Sequence, residues 1–146
     1  MKKLTGIFFL LIFIVASSHA KMNPEQKVAS AKQQYLVTLK SNYSELRHSA
    51  IYQIAQLKSM FPTTDFKDVR KGLFKVAEKD KTPRNRLRAL LTLVYIDDKD
   101  LHQQVKANHN GEARDYDEFY KELYDSMHSN LLYIYSEIAR VQTKNN

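Results

Sequence analysis

Leu46-Arg47-His48-Ser49-Ala50-Ile51-Tyr52-Gln53-Ile54-Ala55-Gln56-Leu57 is the stretch on which the architecture turns, because the chain returns to its outline further on. Within it, Arg47-x-x-Ala50-Ile51-x-x-Ile54-x-x-Leu57 overlays Arg86-x-x-Ala89-Leu90-x-x-Leu93-x-x-Ile96 at an offset of 39 residues. Both runs place apolar residues three and four apart, the period of a helix that buries one stripe. The first run continues as Leu46, Ala50, Ile54, Leu57 and Phe61, and Pro62 ends it.

Helix signals extend in both directions. Asn23-Pro24-Glu25 supplies an N-cap acceptor, a proline at the first helical position and an acid in the first turn. Val28, Ala31, Tyr35 and Leu39 then recur at helical spacing to about Lys40. Thr64 or Asp65 can cap a third helix with Phe66, Val69, Leu73, Val76 and Ala77 on one face. Thr82-Pro83 opens a fourth, with Leu87, Leu90, Leu91 and Val94, and Asp97-Asp98 a short fifth with Leu101 and Val105. Asn108 to Gly111 reads as a turn. Asp115 and Glu118 have capping-box spacing, and Tyr116, Phe119, Leu123, Met127, Ile134, Ile138 and Val141 follow one long face. Ser126 to Asn130 is poor in helix formers and marks a place for a kink. No segment alternates apolar and polar residues long enough for a strand. Six helices with short connections predict one all-α domain over residues 21–142, with a frayed tail at 143–146.

A short signature recurs along these helices: Leu46-Arg47-x-x-Ala50, Val69-Arg70-x-x-Leu73 and Leu87-Arg88-x-x-Leu91. It resembles the V-R-x-x-A element of HEAT-like, armadillo-type helical repeats, whose period of about 40 residues also fits. The resemblance covers about Tyr43 to Lys106. Anchoring on arginine gives an offset of 41 instead of 39, so two registers stand open, and the family's Pro and Gly punctuation is partly absent. The resemblance implies a short α-α superhelix of about two helix pairs, with a core over about 43–106. Helices 24–40 and 115–142 would cap it, since terminal units need polar outer sides. It also implies protein recognition through one face. A six-helix bundle is the alternative architecture.

The first twenty residues bear on location. Lys2 and Lys3 precede nine unbroken apolar residues, Ile7 to Val15, and Ser18-His19-Ala20 is a small-x-small cleavage site. This is the pattern of a secretory signal peptide cut after Ala20, and the run is too short for a transmembrane helix. A periplasmic or secreted protein is expected. Removing the first 20 of 146 residues leaves 126, and losing Lys2 and Lys3 lowers the formal net charge from +7 to +5. With no Cys, such a domain depends on packing alone. It also lacks the lipidated cysteine of a bacterial lipoprotein.

No motif points to catalysis, a metal or a cofactor. His48, His102, His109 and His128 lack a metal-ligand pattern. Asp97-Asp98-Lys99-Asp100 lacks the glycine turn and distal Glu of a calcium loop, and acids at a helix start are favoured by the helix dipole alone. Ser44, Ser49, Ser126 and Ser129 have no nucleophile-elbow context, and Asp117, Glu118, Glu122 and Asp125 form the polar side of an amphipathic segment.

The surface is more informative. Lys67, Lys71, Lys75 and Lys79 recur every four residues and point away from Val69, Leu73 and Val76. Residues 67–88 hold nine basic and three acidic side chains, whereas the other 104 residues after Ala20 sum to about −1. Concentrated charge of this kind suits an acidic protein or an anionic envelope surface, either lipid headgroups or acidic polysaccharide. Nucleic acid fits the charge but not the compartment, and the ridge reads as free of interleaved aromatics. Arg70, at the border of the apolar face, is expected to pair with a carboxylate on a neighbouring helix. Tyr116, Tyr120, Tyr124, Tyr133 and Tyr135 cannot all face one core, so some are expected as exposed anchors for a partner. These readings combine into a non-catalytic, exported protein-binding module.

Overall fold

Asn23 starts the first helix through a reciprocal pair. Its Oδ1 accepts from the Gln26 N–H at 2.8 Å, and its own N–H donates to Gln26 Oε1 at 3.1 Å, which is a capping box. This helix, α1, covers Pro24–Thr38 in a computed structural model that describes residues 23–105, 108–109, 112–113 and 115–129. It is followed by α2 (Ser44–Met60), α3 (Lys67–Lys79), α4 (Pro83–Asp97) and α5 (Lys99–Gln104). The two-residue strands β1 (Asn108–His109) and β2 (Glu112–Ala113) come next, and α6 covers residues 116–129. Among the described residues the fold is all-α apart from that antiparallel ladder, which stands where the sequence predicts a plain turn. The expected signal peptide, Tyr133, Tyr135 and the tail lie outside the described residues.

The chain divides into two units, Met1–Gln34 and Tyr35–Asn146. The first is described only from residue 23, through the opening of α1. The second carries the core. There α4 packs on both α2 and α3, and Ile51, Ile54, Val69, Leu73, Leu91, Tyr95, Leu101, Phe119 and Leu123 are buried.

The phase of α4 differs from the one its leucines suggest. Leu87 and Leu90 are about half exposed, at 48% and 52%, and Leu46 on α2 is similar at 49%. The buried face of α4 is instead Asn85, Arg88, Ala89, Leu91, Thr92, Tyr95 and Ile96. Three of these are polar, and each has a partner. Asn85 Nδ2 donates to Ser44 Oγ and to the Ser44 carbonyl, both at 3.2 Å, Arg88 bonds Asp117, and Thr92 shares a hydrogen bond with the Tyr120 hydroxyl at 2.9 Å. A buried polar group costs little once bonded, so these pairs let Asn85, Arg88 and Thr92 turn inward beside Ala89, Leu91, Tyr95 and Ile96. As a result α4 matches α2 at the arginine-anchored offset. Arg47 and Arg88 both bind aspartate, Leu46 and Leu87 both face out, and Ala50, Ile51, Ile54 and Ala55 are buried with Leu91, Thr92, Tyr95 and Ile96. At the offset of 39, buried Ile51 would match half-exposed Leu90.

Candidate functional site

The candidate surface is built on α3. Asp65 Oδ1 accepts from the Lys67 N–H at 2.8 Å and orders the chain into the helix. Phe66, rather than Thr64 or Asp65, occupies the N-cap position, and it is buried. Val69, Leu73 and Val76 turn inward. That orientation leaves Lys67, Lys71, Lys75 and Lys79 exposed along the opposite side. Lys67, Lys71 and Lys75 have no ion-pair partner among the described residues, and Lys79 Nζ lies 3.8 Å from Glu78.

Lys71, Lys75 and Lys79 of the ridge form one wall of a groove of about 450 Å³. Leu36 and Leu39, from the last turn of α1 and the residue beyond it, lie across α3 at Gly72. A Cβ at that glycine would come within 2.9 Å of Leu36 Cδ2 and 3.1 Å of Leu39 Cδ1, so the glycine permits the close approach. Lys40, Lys71, Lys75, Lys79 and Lys81 line the groove, and Leu36, Leu39 and Val76 give it apolar surface. A volume of this order lies in the range of ligand sites, about 300–1,000 Å³.

Two carboxylates, Asp68 and Asp80, also line it. Asp80 is committed elsewhere. Arg47 Nε and Nη2 donate to its two oxygens at 2.6 and 2.9 Å, a bidentate fork, and the Thr82 N–H donates at 2.8 Å. Arg47 also holds the Ser41 carbonyl at 2.8 Å, and Arg86 holds the Asp80 carbonyl at 2.7 Å. The Arg47 hydrogen bonds hold the Asp80 carboxyl below the usual carboxylate range, against a burial that pushes it up. The Thr82 hydroxyl, read from sequence as a helix cap, pairs instead with Ser44 Oγ at 3.0 Å.

Arg70 pairs with Asp97 at 2.6 Å, joining α3 to the end of α4. Asp98 caps α5, accepting from the Asp100 and Leu101 N–H groups, each at 3.0 Å. The acidic run thus serves helix ends, and no group of three or more His, Asp or Glu among the described residues is placed to hold a metal ion. His48 packs on Tyr116 with ring centroids 4.9 Å apart, and burial, followed by the nearby Arg88 charge, lowers its pKa.

The three described tyrosines, Tyr116, Tyr120 and Tyr124, do not form a common face. Tyr120 is buried, with Arg88 4.9 Å above its ring and its hydroxyl on Thr92, and burial raises its pKa. It belongs to the core, which corrects its expected place in a partner contact. Tyr116 is half-buried against Tyr52, with ring centroids 4.2 Å apart, and Tyr124 alone of the three described is largely exposed, at 52%. Phe74 supplies the aromatic that the ridge was expected to lack. It is 63% exposed on α3, outside the groove.

Sequence reasoning missed Lys40, Lys81, Phe74 and the leucine floor. One signal was available. A glycine in a helix interior costs about 1 kcal/mol relative to alanine, so Gly72 marks a place where something comes close. Among the described residues no helix is long and apolar enough to cross a membrane. Comparison with protein-family models, curated proteins and solved structures gave no match for this chain.

Proposed function

We propose that this protein is a non-catalytic, exported binding module, built as a short HEAT-like stack, that engages an acidic protein through the lysine ridge of α3 and the groove beside it. The observation that carries the reading is the contrast between four paired arginines and the lysines of the α3 ridge. Arg47, Arg70, Arg84 and Arg88 are all bonded to carboxylates, whereas Lys67, Lys71 and Lys75 are exposed and unpaired among the described residues. Like charges four apart on a helix repel by about 0.2–0.5 kcal/mol each, so the three steps of the ridge cost about 1 kcal/mol. Alternating Lys with Glu would keep the helix as soluble without that cost. An anionic partner removes it.

The test is capture of partners from an envelope extract by the wild-type protein and by a variant with Lys67, Lys71, Lys75 and Lys79 all changed to Glu. It is run at about 50 and 300 mM salt, between which the screening length falls from about 14 to about 6 Å. An acidic protein retained by the wild type at both salts and lost by the variant is the expected result. Identical captures by the two proteins overturn the reading. A second reading, peripheral binding to an anionic lipid surface, is favoured by exposed Phe74 beside the ridge, because an apolar anchor among lysines suits a headgroup layer. It predicts retention only at low salt and only with lipid present.

A further inference from the structure

We infer that the groove between the end of α1 and α3 takes an extended acidic peptide in which acidic and aliphatic residues alternate. This rests on the binding reading above and names the chemistry of the partner's contact segment. Lys71, Lys75 and Lys79 follow one another in four-residue steps along the groove wall. At 1.5 Å per residue the step is about 6 Å. An extended chain repeats its side chains on one face every second residue, about 6.6–6.8 Å apart. Three carboxylates at alternate positions therefore meet three ammonium groups while helix and peptide each keep their ordinary geometry.

The intervening side chains of such a peptide point the opposite way, and there the groove offers Leu36, Leu39 and Val76. Leu36, Leu39 and Val76 themselves give a carboxylate no partner, so slipping the peptide by one residue would set charge against them and aliphatic groups against the ridge lysines, with Lys40 and Lys81 left as the other cations of the groove. Order is therefore read as well as composition. Asp68 sharpens this. It lines the groove with no ion-pair partner among the described residues, so it repels an acid placed beside it. Asp80 does not compete for the lysines, because Arg47 holds it. Phe74 and Lys67 lie outside the groove and make no part of the predicted contact.

The experiment is fluorescence anisotropy of the purified protein with labelled Glu-Leu-Glu-Val-Glu-Leu-Glu, beside a blocked permutation of the same residues, Glu-Glu-Glu-Glu-Leu-Leu-Val, at 50 mM salt. The alternating peptide is expected to bind at least fivefold more tightly than the blocked one. Joint change of Lys71, Lys75 and Lys79 to Gln weakens it at least tenfold, Asp68→Asn tightens it two- to threefold, and Phe74→Ala leaves it within twofold. Equal binding of the two peptides overturns the inference. So does binding to phosphatidylglycerol vesicles that falls with Phe74→Ala while neither peptide binds. If neither peptide binds but ridge-dependent capture of an acidic protein persists, the inference fails and the binding reading stands. If capture is also lost, both fail.

Discussion

Two regions of this protein handle positive charge in opposite ways, and they meet at residues 79–81. At the junction of α2 and α4, Arg47 is fastened to Asp80 by two hydrogen bonds, and Asp80 is held in turn by the Thr82 N–H. One residue to either side, Lys79 and Lys81 line an open groove. The first region spends its charge on the fold and the second keeps it for solvent or a partner. The chemistry of the two cations explains the division. A planar guanidinium can satisfy both oxygens of a carboxylate in one geometry and so tolerates burial, whereas an ammonium is strongly hydrated and holds a surface position better. Net charge alone does not separate these roles.

The comparison breaks most directly at Asp80. Its side chain is 1% exposed, and removing it strands the Arg47 guanidinium in a largely buried place. Asp80→Ala is expected to cost about 3 kcal/mol, the lower end for breaking a buried pair. In a domain of this size that lowers Tm by roughly 10 °C in a thermal scan at pH 7. The effect depends on pH in a defined sense. Because the folded carboxyl titrates below the ordinary value of about 3.9, its stabilisation is complete above that pH and is lost as pH falls through the lower folded value. The gap in Tm between wild type and variant should therefore close on acidification through that window. A gap that is constant down to pH 2 would show that Asp80 matters for packing and not for charge.

The register of α4 is the next test. Leu91→Ala is expected to destabilise by about 3 kcal/mol, as for a buried leucine, and Leu90→Ala by less than about 0.5 kcal/mol. Urea midpoints of the two variants decide it, and equal losses would return α4 to the apolar register. The smallest effect belongs to the ridge and has the opposite sign. Lys71→Gln removes two of its three like-charge steps and should stabilise by about 0.5 kcal/mol, an increment that shrinks as salt is added. A loss of stability would mean that the lysine makes a contact that holds the fold.

Much of this architecture is legible in the sequence where local chemistry acts alone. Asn23, Asp98 and Asp115 cap helices because a short carboxylate or amide next to an apolar run has few other uses. Lys67 to Lys79 point outward because Val69, Leu73 and Val76 leave them no other direction. Arg70 was expected to find a carboxylate and does so. The reading falters where partners lie far apart in sequence. Asn85 is buried because Ser44, 41 residues earlier, receives it, and Thr92 because Tyr120, 28 residues later, does. Apolar patterning ranks both as surface positions and promotes Leu87 and Leu90 in their place. Tyr120 was misplaced for the same reason, since its hydroxyl finds an interior partner that spacing does not reveal. The groove floor depends on the end of α1 lying against the middle of α3, a relation carried by one atom that Gly72 lacks.

That missing atom makes position 72 a gauge for the width of the groove. The nearest atoms it would meet are side-chain tips, Leu36 Cδ2 and Leu39 Cδ1, so an alanine there moves leucine methyl groups by a few tenths of an ångström and need not move the helix backbone. A single methyl group at this point would narrow or tilt the apolar strip while every lysine keeps its place on α3. Affinity and selectivity can therefore change separately, with the charges setting how strongly an anion is held and residue 72 setting which shapes fit beneath it.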